Sequence, residues 1–522
     1  MKNVSSLPVA VIGAGPIGLS AAAHLAERNI PFILFEAGPS VGHNFTSYRH
    51  VRLFSPWRFN IDHAAVRLLE SEGWNAPDPL LLPTSGEVVD DYLVPLSRHA
   101  AIAPYLHVGT RVVAVSRLHH DKVKSALRDE APFVLQTETS GRIREHQAGA
   151  VIDATGTWSQ PNPLGAHGLF AMGERENGAR IFYGMPDIAG ALRARYRGRN
   201  VLVVGAGHSA IGNLVALADI AAVAPETRIA WALRRNDLRG VIGGGTNDGL
   251  PARGALGVKL QQLIDDDRLE AHRGFFVDRI ETSADGRMRI VADDSSLASI
   301  DGIDEIVVST GSRPDLAMVR ELRLRFDPLL ESTDALAPLI DPNLHSCGTV
   351  RAHGHRELQH PEPGFYAIGA KSYGRAPNFL MATGYEQARS VVAALAGDLA
   401  AADDVQLELP ETGVCSTDFQ VDDVGRIVDC CGGPAKEPAM ACCVTDEVAK
   451  VEGASGCGCS STSATSTTSA TSTTSVATDA TEKSVSSAKV AVNIVTPLTN
   501  RASLPGIKIV AATTSCCAPA KS

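Results

Sequence analysis

The chain has 522 residues, of which 44% are hydrophobic and 20% are charged, a globular composition with enough length for two or three domains. Its formal net charge of -10 argues against a general nucleic-acid binder, because such proteins carry basic surfaces. No apolar run reaches the about 18 residues that a transmembrane helix needs, and no cleavage site for a signal peptide precedes the first motif. We therefore expect a soluble, cytoplasmic protein without membrane contact.

The first recognisable motif is a strand, a glycine-rich turn and a helix near the N-terminus. An apolar run over 9–12 precedes Gly-Ala-Gly-Pro-Ile-Gly, and an alanine-rich helix is predicted from Leu19 to Arg28. In such a turn the first glycine allows a tight bend, the second lets the backbone approach a pyrophosphate, and the third allows close packing of helix on strand. An apolar strand over 31–35 then ends in an acid placed to accept a ribose hydroxyl. The residues predicted to bind this dinucleotide are Gly13, Gly15, Pro16, Ile17, Gly18 and Glu36.

The following residues are predicted to complete the same domain. A loop-rich region is predicted over 38–82 and a helix over 87–103. Two antiparallel strands are predicted over 106–115 and 133–136, and a buried strand over 150–156 ends in Ala-Thr-Gly. Prolines at 161 and 163 then indicate a crossing between domains.

A second strand–turn–helix motif begins at Val201. Its turn reads Gly-Ala-Gly-His-Ser-Ala, with an alanine at the third position, which the motif permits. The next strand, over 229–233, ends in two arginines rather than an acid. Arginine pairs with a 2′-phosphate that an acid would repel, so this motif is predicted to prefer NADPH to NADH; the alternative is a solvated strand end. The residues predicted for this nucleotide are Gly205, Gly207, His208, Ser209, Arg234 and Arg235.

A strand over 306–311 again ends in Thr-Gly just before the chain changes domain. The chain then returns through an apolar strand over 364–370 and a helix predicted from near Thr383 to Leu395. We thus predict an α/β fold with two Rossmann-like dinucleotide-binding domains, the second inserted into the first, and a cysteine-rich, largely disordered C-terminal tail. The predicted boundaries are 1–165 and 319–400 for the first domain, 166–318 for the inserted domain, 401–459 for the cysteine-rich segment and 460–522 for the Ser/Thr-rich tail.

Two such motifs about 190 residues apart resemble flavoproteins with two dinucleotide-binding domains, in particular the flavin-containing (class B) monooxygenases, over roughly residues 5–400. The resemblance implies FAD at the first motif and NADPH at the second. It also assigns Gly156, Gly369 and Thr383 to the FAD site, with the helix near Thr383 directing its N-terminus at the flavin. The candidate catalytic residues are Asn60, near the place where oxygenating members carry an asparagine, and Arg375 and Asn378 in the loop after the return strand.

The chain departs from this group at three places. The signature F-x-G-x-x-x-H is missing its histidine over 177–186. The return strand ends in Gly369-Ala370 rather than Gly-Asp, so the cofactor contact made by that acid must come from elsewhere. Ser55 and Pro56 stand where the group places its asparagine.

Nine of the ten cysteines lie after residue 410, several as adjacent pairs. Together with the flavoprotein motifs, this tail resembles the flavin monooxygenases of arsenic-resistance operons. Soft thiolates select thiophilic ions, whereas the spacing does not match a structural zinc site. The predicted metal or metalloid ligands are Cys430, Cys431, Cys442, Cys443, Cys457, Cys459, Cys516 and Cys517.

The sequence favours an FAD- and NADPH-dependent monooxygenase that transfers one atom of molecular oxygen to a soft nucleophile, with trivalent arsenic as the leading candidate. One alternative is an NADPH-dependent reductase of metals or disulfides that uses the tail cysteines. Another is a flavoprotein without catalytic activity that carries a metalloid-binding tail. The predicted partners are a small-molecule or metalloid substrate and oxygen, and a homodimer is left open.

Overall fold

The computed structural model describes residues 7–242, 251–345 and 350–407, and these residues lie within one compact unit. The strands of this part of the chain are β1 Val9–Ile12, β2 Phe32–Phe35, β3 Leu106–His107, β4 Arg111–Arg117, β5 Phe133–Thr139, β6 Arg142–Ala148, β7 Ala150–Asp153, β8 Ile181–Tyr183, β9 Asn200–Val204, β10 Arg228–Leu233, β11 Glu270–Arg273, β12 Val277–Thr282, β13 Met288–Ala292, β14 Ile300–Ile303, β15 Glu305–Val308 and β16 Phe365–Ala367. Its α-helices are α1 Pro16–Glu27, α2 His43–Thr46, α3 His63–Ser71, α4 Ser85–Glu87, α5 Val94–Arg98, α6 Arg193–Tyr196, α7 His208–Val223, α8 Arg239–Ile242, α9 Pro251–Asp265, α10 Ala337–Ile340, α11 Met381–Leu395 and α12 Leu399–Asp403.

Two parallel five-stranded sheets form the centres of two lobes. The first lobe contains the sheet ordered β16-β7-β1-β2-β3, and the second contains the sheet ordered β11-β10-β9-β15-β8. Each sheet therefore places the strand of a glycine motif, β1 or β9, in its middle. Because the strands are parallel, their carboxyl ends lie along one edge, where nucleotides bind in open α/β sheets. The predicted mixed α/β fold with two Rossmann-like sheets is confirmed.

Both lobes have the same three layers: helices, the parallel sheet and a three-stranded antiparallel sheet. Alternate residues of β1 face opposite sides: Val9 and Val11 pack with α1 and α11, whereas Ala10 and Ile12 pack with the antiparallel sheet β4-β5-β6. In the second lobe β9 alternates in the same way between α7 with α9 and the antiparallel sheet β12-β13-β14. Burial on both faces explains why the strands of the two motifs read as continuous apolar runs.

Several predicted elements have different bounds in the structure. Helix α1 begins at Pro16 rather than Leu19, since proline at the first helical position lacks the N–H that a helix start leaves unpaired. The helix predicted over 87–103 is a run of α4, a π-helical segment Val88–Leu93 and α5, which ends at Arg98. The strand predicted over 106–115 is divided into β3 and β4 by a turn at Gly109, whose φ is +60°.

The domain boundaries drawn from the sequence stay a prediction. The predicted cysteine ligands and the Ser/Thr-rich tail lie outside the described residues. Among the residues that are described, no helix is both long and apolar enough to cross a membrane.

Candidate functional site

The first glycine loop is shaped by close backbone contacts. Gly13 has a φ of +97°, and a Cβ built there would lie 2.8 Å from the carbonyl oxygen of Ala154. A Cβ on Gly18 would lie 1.8 Å from the carbonyl oxygen of Gly13, so no side chain fits between the helix and the loop. Gly15 is different, because a Cβ there meets no atom within 4 Å. The first and third glycines thus shape the loop, and the second borders open space.

That open space fits the pyrophosphate of FAD. Gly15 is the N-cap of α1, and no side chain caps this helix end. The first N–H groups of the helix and its positive dipole end are therefore available to an anion. Pro16 and Ile17 form the buried first turn behind the loop.

Glu36, the residue that follows β2, supports the same loop. Its carboxylate accepts hydrogen bonds from the backbone N–H of Ala14 at 2.8 Å and from that of Gly38 at 2.7 Å. Each carboxylate oxygen keeps lone pairs that can accept further bonds. The acid is thus held in position at the loop, and its contact with a ribose hydroxyl stays a prediction.

The other residues assigned to FAD lie at the same edge of the first sheet. Gly156 follows β7 with a φ of +66°, and a Cβ there would meet no atom within 4 Å. Gly369 follows β16, and a Cβ there would lie 3.1 Å from Ile17. Thr383 is buried in the first turn of α11, a helix that begins at Met381 without a side-chain cap. The edge of the sheet therefore brings Ile17, Gly369 and α11 together.

The candidate catalytic side chains mostly bond to the protein itself. Asn60 is buried, and its amide donates to the carbonyl oxygens of Ser55 and Pro56 at 2.6 and 2.9 Å. Arg375 pairs with both carboxylate oxygens of Glu331 at 3.0 Å. These contacts give both residues a structural role in holding loops, whereas their catalytic roles stay a prediction.

Asn378 is the candidate with unused hydrogen-bonding capacity. It is 4% exposed, and its Nδ2 donates to the carbonyl oxygen of Ile340 at 3.1 Å. Its Oδ1 is buried without a hydrogen-bond partner among the described residues. A buried acceptor without a partner is costly, so a ligand donor at this point would stabilise it.

The second glycine loop repeats the geometry of the first. Gly205 has a φ of +134°, and a Cβ there would lie 2.3 Å from the carbonyl oxygen of Ser309. Gly207 is the N-cap of α7 and borders open space. His208 and Ser209 begin α7, and the His208 ring lies 5.4 Å from the ring of Phe54 in the first lobe. This loop fits the pyrophosphate of a second dinucleotide.

The two arginines follow β10 beside this loop. Arg234 is exposed and reaches the carbonyl oxygen of Ala166 at 3.4 Å, and Arg235 is half-buried. Both cations thus lie at the carboxyl end of the strand where the 2′-phosphate of NADPH is expected.

A cavity of about 520 Å³ lies between the lobes. The first lobe contributes Tyr48 and residues 50–54, and the second contributes residues within 185–189 and one face of α7. That face runs from His208 to Ala216, so the cavity begins at the second glycine loop. Its walls are largely aliphatic and aromatic. Apart from His208 and Ser209, the residues of this cavity were not predicted from the sequence, because they come from distant loops and helix faces without a shared motif.

Among the described residues, no group of three or more His, Cys, Asp or Glu side chains is placed to hold a metal ion.

Substitution of Gly15 and Gly207, the glycines that border open space in the two loops, tests the two nucleotide sites independently. In Gly15→Val the new side chain occupies the open space at the first loop, so we expect a folded, colourless protein with at least about 100-fold weaker FAD binding. The matched variant Gly207→Val should keep FAD and lose NADPH binding instead. FAD absorbance, nucleotide titration and circular dichroism measure these effects. A fully yellow Gly15→Val protein would show that FAD is not bound at this loop.

Removal of the two arginines tests the preference for NADPH. We expect Arg234→Ser combined with Arg235→Ser to raise the KM for NADPH at least about 100-fold, because each of the two charge-assisted bonds to the phosphate contributes about 1.5–3 kcal/mol. The KM for NADH, which lacks this phosphate, should stay within about threefold. Steady-state kinetics of FAD-dependent oxidation of NADPH and of NADH measure both KM values. An equal change of the two KM values would contradict the assignment.

Comparisons with known proteins agree with this architecture. A family model described as pyridine nucleotide-disulphide oxidoreductase matches residues 10–348. No curated protein matches the sequence. Among solved structures, bacillithiol disulfide reductase Bdr from Bacillus cereus has 16% identity and a TM-score of 0.55, and the match covers 75% of this chain and 99% of that chain. Ornithine N-hydroxylase from Kutzneria sp. 744, in a structure with reduced FAD and NADP+, has 17% identity and a TM-score of 0.52. The match covers 75% of this chain and 99% of that chain. The FAD-bound cadaverine monooxygenase DfoA from Erwinia amylovora has 12% identity and a TM-score of 0.53. The match covers 80% of this chain and 99% of that chain.

At these identities the solved structures support the fold alone. The family model spans most of the chain, including both glycine loops and both crossings between the lobes. The chain therefore belongs to the pyridine nucleotide-disulphide oxidoreductase family and is a flavin- and pyridine nucleotide-dependent oxidoreductase.

Proposed function

We propose that this protein is a monooxygenase that uses NADPH and FAD to transfer one oxygen atom to a soft nucleophile carried by a small molecule. The observation that carries this proposal is the cavity of about 520 Å³ between the lobes. The cavity begins at the loop assigned to NADPH and is bounded by first-lobe loop residues, so a substrate inside it can contact both lobes.

The walls of the cavity suit oxygen transfer. Bound FAD would react with molecular oxygen once it is reduced. The protein would orient the substrate and exclude water. Leu53 and Phe54 on one side and Ile188 and Ala216 on the other form apolar walls around the cavity. An apolar enclosure holds little water, and the exclusion of water limits side reactions that would lose the reactive oxygen before it reaches the substrate.

The distribution of cysteines supports oxygen transfer over disulfide reduction near the flavin. Disulfide exchange requires a thiolate at the reacting sulfur. The first cysteine of the sequence is Cys347, so the glycine loops, the cavity loops and both crossings contain none. The tail cysteines still permit the second candidate, an NADPH-dependent reductase of disulfides or metals, in keeping with the description of the family.

Trivalent arsenic is the soft nucleophile that we propose as substrate. The support is the set of adjacent cysteines in the tail, because thiolates bind thiophilic ions and could deliver one to the enzyme. The apolar cavity further favours an arsenical with an organic substituent over the bare oxyacid, because an alkyl or aryl group gains free energy on leaving water.

Simultaneous measurement of NADPH and oxygen distinguishes the two candidates. For a monooxygenase we expect one NADPH and one oxygen molecule to be consumed for each oxidised product, in assays with arsenite, methylarsenite and an aryl methyl sulfide. Little hydrogen peroxide should form when the substrate is present. NADPH oxidation that continues without oxygen and is coupled to a disulfide or a metal would instead support the reductase.

Filling the cavity tests whether substrate binds there. Ala216 is half-buried on the cavity face of α7, and Ala222 is exposed near the end of the same helix. We expect Ala216→Phe to raise the KM for the substrate at least about 10-fold, because the ring occupies space that the substrate needs. The control variant Ala222→Phe should behave like the wild type. Equal kinetics of both variants would place the substrate elsewhere.

A further inference from the structure

The chain crosses between the lobes twice, and the two crossings bond to each other. The first runs over 155–163 after β7, and the second over 310–315 after β15. Their hydrogen bonds join Thr157 Oγ1 to Ser312 Oγ at 2.9 Å, Asn162 N to Gly311 O at 2.9 Å and Arg313 N to Gln160 O at 3.0 Å. We call these two segments the connector. These bonds hold the two segments together as one two-stranded unit between the sheets.

One buried lysine holds the connector to the first lobe. Lys371 follows the return strand β16 and is 4% exposed. Its Nζ donates to Thr155 Oγ1 at 3.2 Å and to the carbonyl oxygen of Asp315. Thr155 begins the first crossing and Asp315 ends the second, so a single ammonium group contacts both points where the connector meets the first lobe.

The counter-ion of this lysine lies at the end of β7. Asp153 is fully buried, and its Oδ2 lies 3.4 Å from Lys371 Nζ. Its Oδ1 accepts bonds from the N–H and hydroxyl of Thr155 at 3.1 and 2.7 Å. The ammonium group has three hydrogens, and its neighbours come from the sheet and from each of the two crossings.

The cost of such a pair indicates a role in positioning. Moving two charges out of water costs several kcal/mol per ion, and apolar residues of the same volume often give equal stability. In some proteins a buried polar or ionic group instead fixes one arrangement of its surroundings. Here the surroundings are the connector, which sets where the second lobe lies relative to the first.

We propose that Lys371 is a positioning residue for hydride transfer. By fixing the connector on the first sheet, it sets the distance between the NADPH held by the second lobe and the FAD held by the first. Transfer between bound groups depends steeply on their geometry, so a small shift of a lobe slows it strongly. This inference goes beyond the proposed function, because reduction of FAD by NADPH precedes both oxygen transfer and disulfide reduction.

The test removes the pair as a whole. In the double variant Lys371→Met with Asp153→Asn no buried charge is left alone, and the amide oxygen introduced on β7 can still accept the bonds from Thr155. We expect the anaerobic rate of FAD reduction at saturating NADPH to fall at least about 10-fold, while the affinities for FAD and NADPH change less than about threefold. Stopped-flow absorbance and nucleotide titrations measure these quantities.

Hydrogen exchange in the protein without added nucleotide gives a readout that is independent of activity. The amide of Thr155 should exchange faster in the double variant, because the hydroxyl of Thr155 loses its bond from Lys371 and the neutral amide introduced at position 153 accepts the bond from the Thr155 N–H more weakly than a carboxylate does. The amides of Asn162 and Arg313 should keep their protection, because their bonds lie within the connector. Loss of protection at all three amides would indicate general unfolding and overturn the proposal.

Two further variants keep the test decisive. Lys122→Met removes an exposed lysine that donates to the carbonyl oxygen of Arg320 at 3.0 Å, and it should reduce FAD at the wild-type rate. Thr155→Val removes one acceptor of Lys371 with little change of shape, and we expect an about threefold slower rate even if the double variant fails to fold. The proposal is overturned if Thr155→Val reduces FAD at the wild-type rate, or if the double variant loses FAD affinity in proportion to its rate.

Discussion

The structure depends on two places where backbone meets backbone with no side chain between them. At one, a Cβ on Gly18 would lie 1.8 Å from the carbonyl oxygen of Gly13, and at the other a Cβ on Gly205 would lie 2.3 Å from that of Ser309. Any larger residue would separate a helix or a loop from its sheet, because well-packed interiors cannot absorb the extra volume. The same turns leave open space at the second glycine of each motif. One steric constraint thus produces both the packing of each lobe and the hollow in which a pyrophosphate fits.

The cavity between the lobes follows from this arrangement. Each motif strand lies at the centre of its sheet, with helices on one face and an antiparallel sheet on the other. Both faces are thereby covered, so the loops at the carboxyl edges are the parts left to form sites. The contact between Phe54 and His208 brings a loop of the first lobe to the start of α7. Chemistry that needs both cofactors is therefore confined to the region where the lobes meet.

The fold was largely predictable from the sequence, because the motifs are local. Strand, turn, helix and final acid lie within about 30 residues, and each has a spacing fixed by backbone geometry. The roles of single side chains were harder to predict, because they depend on distant partners. Arg375 pairs with Glu331, and the amide of Asn60 holds the backbone of its own loop. Lys371 was missed altogether, since nothing in its neighbourhood along the chain shows that it reaches both crossings.

The charge at the end of the return strand illustrates how such distant partners change the chemistry of a site. Ala370, at the position where the resemblance implies an acid, is half-buried and carries no charge. An acid does lie at this edge on the neighbouring strand β7, where Asp153 faces Lys371 and Thr155. Because an ion pair has little net charge, this part of the edge does not repel the negative diphosphate of FAD as a lone carboxylate would. The uncapped start of α1 is then the main source of attraction for that diphosphate, and we predict that Gly15 and the N–H groups beside it make the main contact with the cofactor.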